Sequence, residues 1–362
     1  MANKDIKIVY SEPAEYFPDE IRRKYMFGEF AESRELRQIK SVVIGHAVGD
    51  ALGVPVEFSP RAKLDKNPVT DMMGFGAYDM PAGSWSDDTS MSLAALDVLS
   101  NGSDDLFAIM VNFTKWIEEG EYTPTGKVFD VGRTCLGAVV KFVKACNQAN
   151  GDLVPQQGFD VTSCGLDDEY SNGNGSLMRI HPFVLMIYYN YNTHENWQDI
   201  IRRASSLTHA HERSQIACLI YSHVLFHLLH KPKKESVILG LKGAESQLRY
   251  FPEIIHYKRL FSSDFAKTPR EEIRSTGYVV DTLEAALWCL LNTDGYEECV
   301  LKAVNLGGDA DTVAAIVGGL AGALYGYDAI PEKWRDTLKK REYIEQMCER
   351  ANDAWMKNPA RC

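Results

Sequence analysis

The 362-residue sequence contains no Cys-x-x-Cys pair, although it has 8 cysteines, at positions 135, 146, 164, 218, 289, 299, 348 and 362. Without clustered thiols there is neither a thiolate metal site nor a disulfide framework, so the cysteines read as reduced core residues of a cytoplasmic protein. Basic charge is also short: 39 Lys and Arg stand against 50 Asp and Glu, a formal net charge of −11. A sequence-independent nucleic-acid binder needs a basic face to neutralise phosphates, and this balance argues against one. A membrane span needs about 20 apolar residues, and the Gly- and Ala-rich run Thr312–Tyr327 falls short of that; it suits a tightly packed buried helix. Lys4, Asp5 and Lys7 interrupt any apolar core of a signal peptide. Period-2 alternation, internal repeats and low-complexity linkers are also close to absent.

What is present is a composition of 45% hydrophobic and 25% charged residues, enough for a large core. Apolar residues recur at helical spacing, for example Leu36, Ile39, Val42, Val43 and His46 in a helix from Glu32, and again over 279–291 and 296–304. The chain therefore reads as all-α, one compact multi-helix domain over 32–362. Residues 1–31 form an irregular arm in which Tyr10, Tyr16, Phe17, Tyr25, Phe27 and Phe30 lie among Pro13 and Pro18. The arm is too aromatic for a solvated tail. It either packs back over the core or binds a partner.

Two short acidic stretches stand out, Ser86-Asp87-Asp88-Thr89 and Asp309-Ala310-Asp311-Thr312, each directly before an apolar helical pattern. Ser, Asp and Thr at such places are ordinary helix N-caps. Capping needs one such residue, however, and two crowded carboxylates repel each other unless a cation lies between them. Oxygen donors without Cys or His suit Mg²⁺ or Mn²⁺ and suit Zn²⁺ poorly.

Other stretches carry weaker signals. Glu57 follows the glycine-rich helix end Gly49-Asp50-Ala51-Leu52-Gly53, and Asp130 reads as a first-turn acid of the helix after it. Residues 147–170 read as an extended loop. The Asn172-Gly173-Asn174-Gly175 turn before the apolar segment 180–191 reads either as a turn with a cap or as a nest of backbone N–H groups for an anion such as a diphosphate. His209 and His211 have the spacing of metal ligands but no thiolate beside them, and His223, His227 and His230 read as surface or satisfied core groups on one long helix.

Taken in order, Gly49-Asp50-Ala51-Leu52-Gly53, Glu57-Phe58, Trp85-Ser86-Asp87-Asp88-Thr89, Phe129-Asp130-Val131-Gly132, Gly173-Asn174-Gly175-Ser176-Leu177-Met178-Arg179, Thr208-His209 and Gly307-Gly308-Asp309-Ala310-Asp311-Thr312 resemble the motifs of ADP-ribosylglycohydrolases. Within that family the chain is similar to the bacterial type that releases ADP-ribose from dinitrogen reductase. The resemblance covers roughly 35–330. It implies an orthogonal all-α bundle and a centre of two Mg²⁺ or Mn²⁺ ions held by Ser86, Asp87, Asp88, Asp309, Asp311 and Thr312. It further implies catalytic roles for Glu57, Asp88 and Asp130, Asp130 lying near the guanidinium of a modified arginine, and an ADP-ribose pocket that includes Gly126, Ser171, Asn172, Gly173, Asn174 and His209. The expected activity is hydrolysis of ADP-ribose from protein side chains, arginine first and serine or a free ADP-ribose derivative as the alternative. A third reading makes the protein an antagonist that blocks an ADP-ribosylating toxin through residues 1–31, with or without hydrolysis. Two departures bear on the protein substrate: Arg133 stands where the dinitrogen-reductase type has Asn, and the N-terminal arm is longer.

Overall fold

The structure is a computed structural model that describes residues 32–149, 152–190 and 197–356. The N-terminal arm lies outside the described residues. The chain runs through α1 (Arg34–Gly53), α2 (Arg61–Leu64), α3 (Asp87–Leu99), α4 (Leu106–Glu119) and α5 (Arg133–Ala145) to a small antiparallel hairpin, β1 (Asn147–Ala149) and β2 (Asp152–Val154), with Gln148 opposite Leu153. It continues through α6 (His181–Tyr189), α7 (Trp197–Ser206), α8 (Glu212–His230), α9 (Lys234–Leu248), α10 (Val279–Leu291), α11 (Tyr296–Val304), α12 (Ala310–Tyr325), α13 (Glu332–Thr337) and α14 (Arg341–Met356). The fold is all-α, as the periodicity predicts, and the hairpin is the sole sheet among the described residues. Two local expectations are corrected. The helix expected from Glu32 starts at Arg34, and residues 147–149 and 152–154 of the expected 147–170 loop pair as the hairpin.

A seam of small residues between α1 and α12 sets the centre of the bundle. A Cβ on Gly45 would come within 2.5 Å of the Gly318 carbonyl oxygen, one on Gly49 within 2.0 Å of that of Ala314, and one on Gly53 within 2.2 Å of Asp311 Cα. From the other side, a Cβ on Gly322 would lie 1.9 Å from the Ser41 oxygen. The small residues recur every fourth position on both helices, which is one helical face, so the backbones run antiparallel in direct contact. This brings the C-terminal turn of α1, with Asp50, against the N-terminal turn of α12, with Asp311. By length and composition α1 with its extension, Arg34–Val56, passes as a membrane span, yet its apolar window is entirely buried inside the protein.

Trp85 fixes the third element of the centre. Its ring is fully buried, and its indole N–H donates to the Tyr122 carbonyl at 3.1 Å, so the entry to α3 is tied to the turn after α4. Burying an aromatic ring with its polar handle bonded is among the larger single contributions a core residue makes. Of the described cysteines, Cys135, Cys164, Cys218, Cys289, Cys299 and Cys348 are buried and Cys146 is half-buried.

Candidate active site

Three chain segments meet at one point because their backbones are tied together. Asp50 accepts from the Ser86 N–H (2.9 Å) through one carboxylate oxygen and from the Thr89 N–H (3.0 Å) and hydroxyl (2.6 Å) through the other. A helix start leaves such amides without partners, and Asp50 supplies them from another helix. Ser86 is the N-cap of α3, accepting from the Asp88 N–H at 3.3 Å. Glu57 lies where the chain leaves the 3₁₀ turn after α1. The next residue, Phe58, has φ 58°, is 70% exposed, and donates its N–H to Gly308 O at 2.6 Å, while Gly308 N–H donates to Ser59 O at 2.9 Å. Gly307 and Gly308, at φ 70° and 69°, make the left-handed turn that aims Asp309 inward; side chains there would be strained. Asp309 begins α12 without a side-chain cap bond, so the capping explanation fails for it. Its carboxylate accepts instead from Asn174 Nδ2 at 2.7 Å.

The result is a buried knot of acids. Asp50, Asp88 and Asp311 each bring a carboxylate oxygen within 4.8 Å of the other two, and so do Glu57, Asp309 and Asp311. Asp311 belongs to both groups. Asp88 also accepts from the Thr312 hydroxyl at 3.2 Å, and Asp87 from the Gly132 N–H at 3.2 Å. Burial first, and then the neighbouring Asp130 and Asp309 charges, push the Glu57 carboxyl up to about 8. Burial raises Asp50 to about 6. Asp87, Asp88 and Asp311 are driven well above the carboxylate range by burial and then by one another and their acidic neighbours. Among the described residues none of these acids forms an ion pair, and one oxygen each of Glu57 and Asp88 is buried without a partner. So many carboxylates cannot all be ionised near neutral pH without a counter-charge. An all-oxygen donor set with unsatisfied buried oxygens fits a hard divalent cation.

The knot forms the floor of a cleft of about 600 Å³. Of the residues singled out in the sequence, Glu57, Asp87, Asp130, Asn172, Gly173, Asn174, His209, Asp309 and Thr312 line it. Ser86, Asp88 and Asp311 lie buried beneath, and buried Ser171 bonds to the Asp168 carboxylate. Gly126 is not among the lining residues; it sits in an exposed turn whose N–H is taken by the Thr123 hydroxyl at 2.9 Å. Asp130 is not a first-turn acid either, because Gly132 caps α5 and Asp130 lies before it, beside Tyr78 and Glu57. The turn at Gly173 is not a free nest at a helix start: the Asn174 N–H is spent on Gly277 O at 3.1 Å, and α6 begins only at His181. Sequence reading missed Asp50 as a member of the knot and Arg179, which is wholly buried behind the cleft wall. The signal for both was a lone charge inside an otherwise apolar stretch.

A family model described as ADP-ribosylglycohydrolase matches residues 31–361. The chain is 33% identical over 319 residues to the ADP-ribosylarginine hydrolase Tri1 of Serratia proteamaculans (strain 568), covering 88% of this chain and 80% of that protein. It is 30% identical over 314 residues to the ADP-ribosyl-[dinitrogen reductase] glycohydrolase of Rhodospirillum rubrum, covering 86% and 92%. A solved ADP-ribosylglycohydrolase-related protein complex matches with a TM-score of 0.71 at 30% identity, over 89% of this chain and 99% of its own. The acid knot, the cleft above it and these similarities agree: the chain belongs to the ADP-ribosylglycohydrolase family of hydrolases.

Proposed function

We propose that this chain hydrolyses the bond between ribose C1 and a guanidino nitrogen of ADP-ribosylated arginine in a modified protein, using two Mg²⁺ or Mn²⁺ ions. The observation that carries the reading is the pair of carboxylate triads sharing Asp311 on the cleft floor. Asp87, Asp88, Asp309 and Asp311 would hold the ions with the hydroxyls of Ser86 and Thr312. Bound there, such ions supply charge for the ribose hydroxyls and acidify a water. Glu57, at the junction of floor and cleft, accepts that water's proton as its oxygen bonds to C1. The C1–N bond breaks with its electron pair going to nitrogen, so the cationic guanidinium leaves as a neutral guanidine and then takes up the proton. Asp130 orients the guanidinium before the bond breaks. Asn172, Gly173 and His209 face the remainder of the ligand.

The test is release of ADP-ribose from arginine-modified and serine-modified proteins with Mg²⁺, with Mn²⁺ and with EDTA. Release from the arginine conjugate, abolished by EDTA and restored by either ion, is expected. Activity indifferent to chelation overturns the metal centre, and release from the serine conjugate alone overturns the arginine assignment. Asp130→Ala is expected to cut turnover of the arginine conjugate on the order of a hundredfold. Removing residues 1–31 isolates the antagonist reading, which requires toxin binding to vanish while hydrolysis persists.

A further inference from the structure

Among the described residues, four that are not glycine hold a positive φ: Phe58 at 58°, Phe75 at 64°, Tyr122 at 62° and Lys340 at 45°. A side chain in this left-handed region is strained, and for a bulky one the strain needs a reason. Tyr122 and Lys340 have theirs inside the fold. The Tyr122 hydroxyl donates to the Asp97 carboxylate at 2.9 Å, and Lys340 Nζ donates to the Thr123 carbonyl at 2.8 Å. Phe58 and Phe75 have no polar side-chain atom to bond, and they are 70% and 59% exposed, so the fold gains little from either ring.

Glycine would make both turns without strain. The chain does use glycine opposite Phe58, whose N–H donates to Gly308 O, where Gly307 and Gly308 take nearly the same φ. Phe75 is followed directly by Gly76, at φ 95°. Rings are therefore kept at two strained, exposed positions whose neighbours of like conformation carry no side chain. Strain held in this way marks a functional position.

The two segments are tied to one point beside the acid knot. The Ala77 N–H donates to Pro55 O at 2.9 Å, and a Cβ on Gly76 would lie 2.1 Å from the same oxygen. Pro55 belongs to the 3₁₀ turn that Glu57 closes. Tyr78, on the loop that carries Phe75, stands beside both Glu57 and Asp130, and Phe58 lines the cleft with these two acids. In the function proposed above, on which this inference rests, the C1–N bond is cut between Glu57 and Asp130. The ADP-ribose side of that bond lies in the cleft, so the polypeptide side leaves it at this end.

We propose that Phe58 and Phe75 form an apolar lip that docks the polypeptide flanking the modified arginine and thereby selects a modified protein over the free conjugate. Exposed apolar side chains gathered at a site of this kind mark an interaction surface. The rings offer neither charge nor hydrogen-bond donors, so the flank they fit is an apolar stretch of chain.

Phe58→Gly removes the ring and the strain together, and Phe58→Leu keeps an apolar side chain in its place. On an arginine-conjugated protein, kcat/KM is expected to fall roughly tenfold in Phe58→Gly, carried by KM, and to fall further when Phe75→Gly is added. Free ADP-ribosylarginine, which has no flanking chain, is expected to lose far less, and Phe58→Leu is expected to retain most of the activity on the protein. The urea midpoint of Phe58→Gly is expected to hold or rise, because glycine adopts this φ without strain. Equal losses on the protein and on the free conjugate, or unaltered kinetics on the protein, overturn the lip and leave the hydrolase reading intact. A wild-type protein that releases ADP-ribose from neither conjugate overturns that reading and the lip with it. Should Phe58→Gly not fold, Phe75→Gly decides by the same ratio.

Discussion

Asp50 spends both of its oxygens on the amides and hydroxyl that open α3, and the same carboxylate stands within reach of Asp88 and Asp311. At the proposed metal centre its effect would therefore be exerted largely through the residues it orients. Asp50→Asn turns an NH₂ group against an N–H that needs an acceptor. Divalent affinity is expected to fall about 10–100-fold, with turnover recovered at saturating metal; titration of activity against Mn²⁺ reads this directly, and an unchanged half-saturation point would sink it. Asp87, Asp88, Asp309 and Asp311 were legible in the sequence as one acidic group because pairs of acids at a helix start repel without a counter-charge. Asp50 was not, since it reads as one more residue of a glycine-rich helix end until α12 is seen packed against Gly49 and Gly53. Gly126, assigned to the pocket by resemblance, is not among the residues that line the cleft, and a glycine turn carries no information about which surface it faces.

At the scale of elements, helices were readable from periodicity and their junctions were not. Strands of three residues, such as Asn147–Ala149, are too short to show alternation. The α1–α12 seam yields a clean mutational prediction. In Gly49→Ala the new methyl meets backbone, at 2.0 Å from the Ala314 oxygen, and no side chain can swing aside. Unfolding free energy is expected to drop by about 2 kcal/mol or more, at the upper end of overpacking costs, as measured by urea denaturation. Because the helices must separate, divalent affinity should fall in parallel. A loss of stability with unaltered metal binding would show that the seam does not set the Asp50–Asp311 approach.

For the molecule as a whole, two sets of buried groups push stability in opposite directions with pH. Burial holds His46 down to about 3 and His223 down to about 4, and drives His181, whose ring is 4.4 Å from that of His46, well below its ordinary value. Below pH 6.5 the unfolded chain takes up protons that these folded sites refuse, so stability falls as pH falls, by about 1.4 kcal/mol per pH unit for each histidine. Above pH 6.5 this loss is absent. Glu57 acts the other way: its folded value is raised from 4.5 to about 8, so its contribution is full below 4.5 and disappears as pH rises through 8. Above pH 6.5, where the histidine contribution no longer changes, metal-free protein is therefore expected to weaken toward pH 8, and added Mn²⁺ is expected to abolish that loss. Urea midpoints at pH 5, 6.5 and 8, with and without EDTA, check this; identical profiles would refute the uncompensated acid knot.

The backbone-to-backbone contact of α1 with α12 also acts as a ruler. Each residue advances a helix by about 1.5 Å and turns it by about 100°, and a seam where backbone meets backbone at Gly45, Gly49, Gly318 and Gly322 has no long side chains to absorb an error. One residue inserted between Gly45 and Gly49 would carry Asp50 about a quarter-turn away from Asp311 while the rest of the bundle stayed in place. Sequence length in this stretch is therefore held as strictly as the glycines themselves.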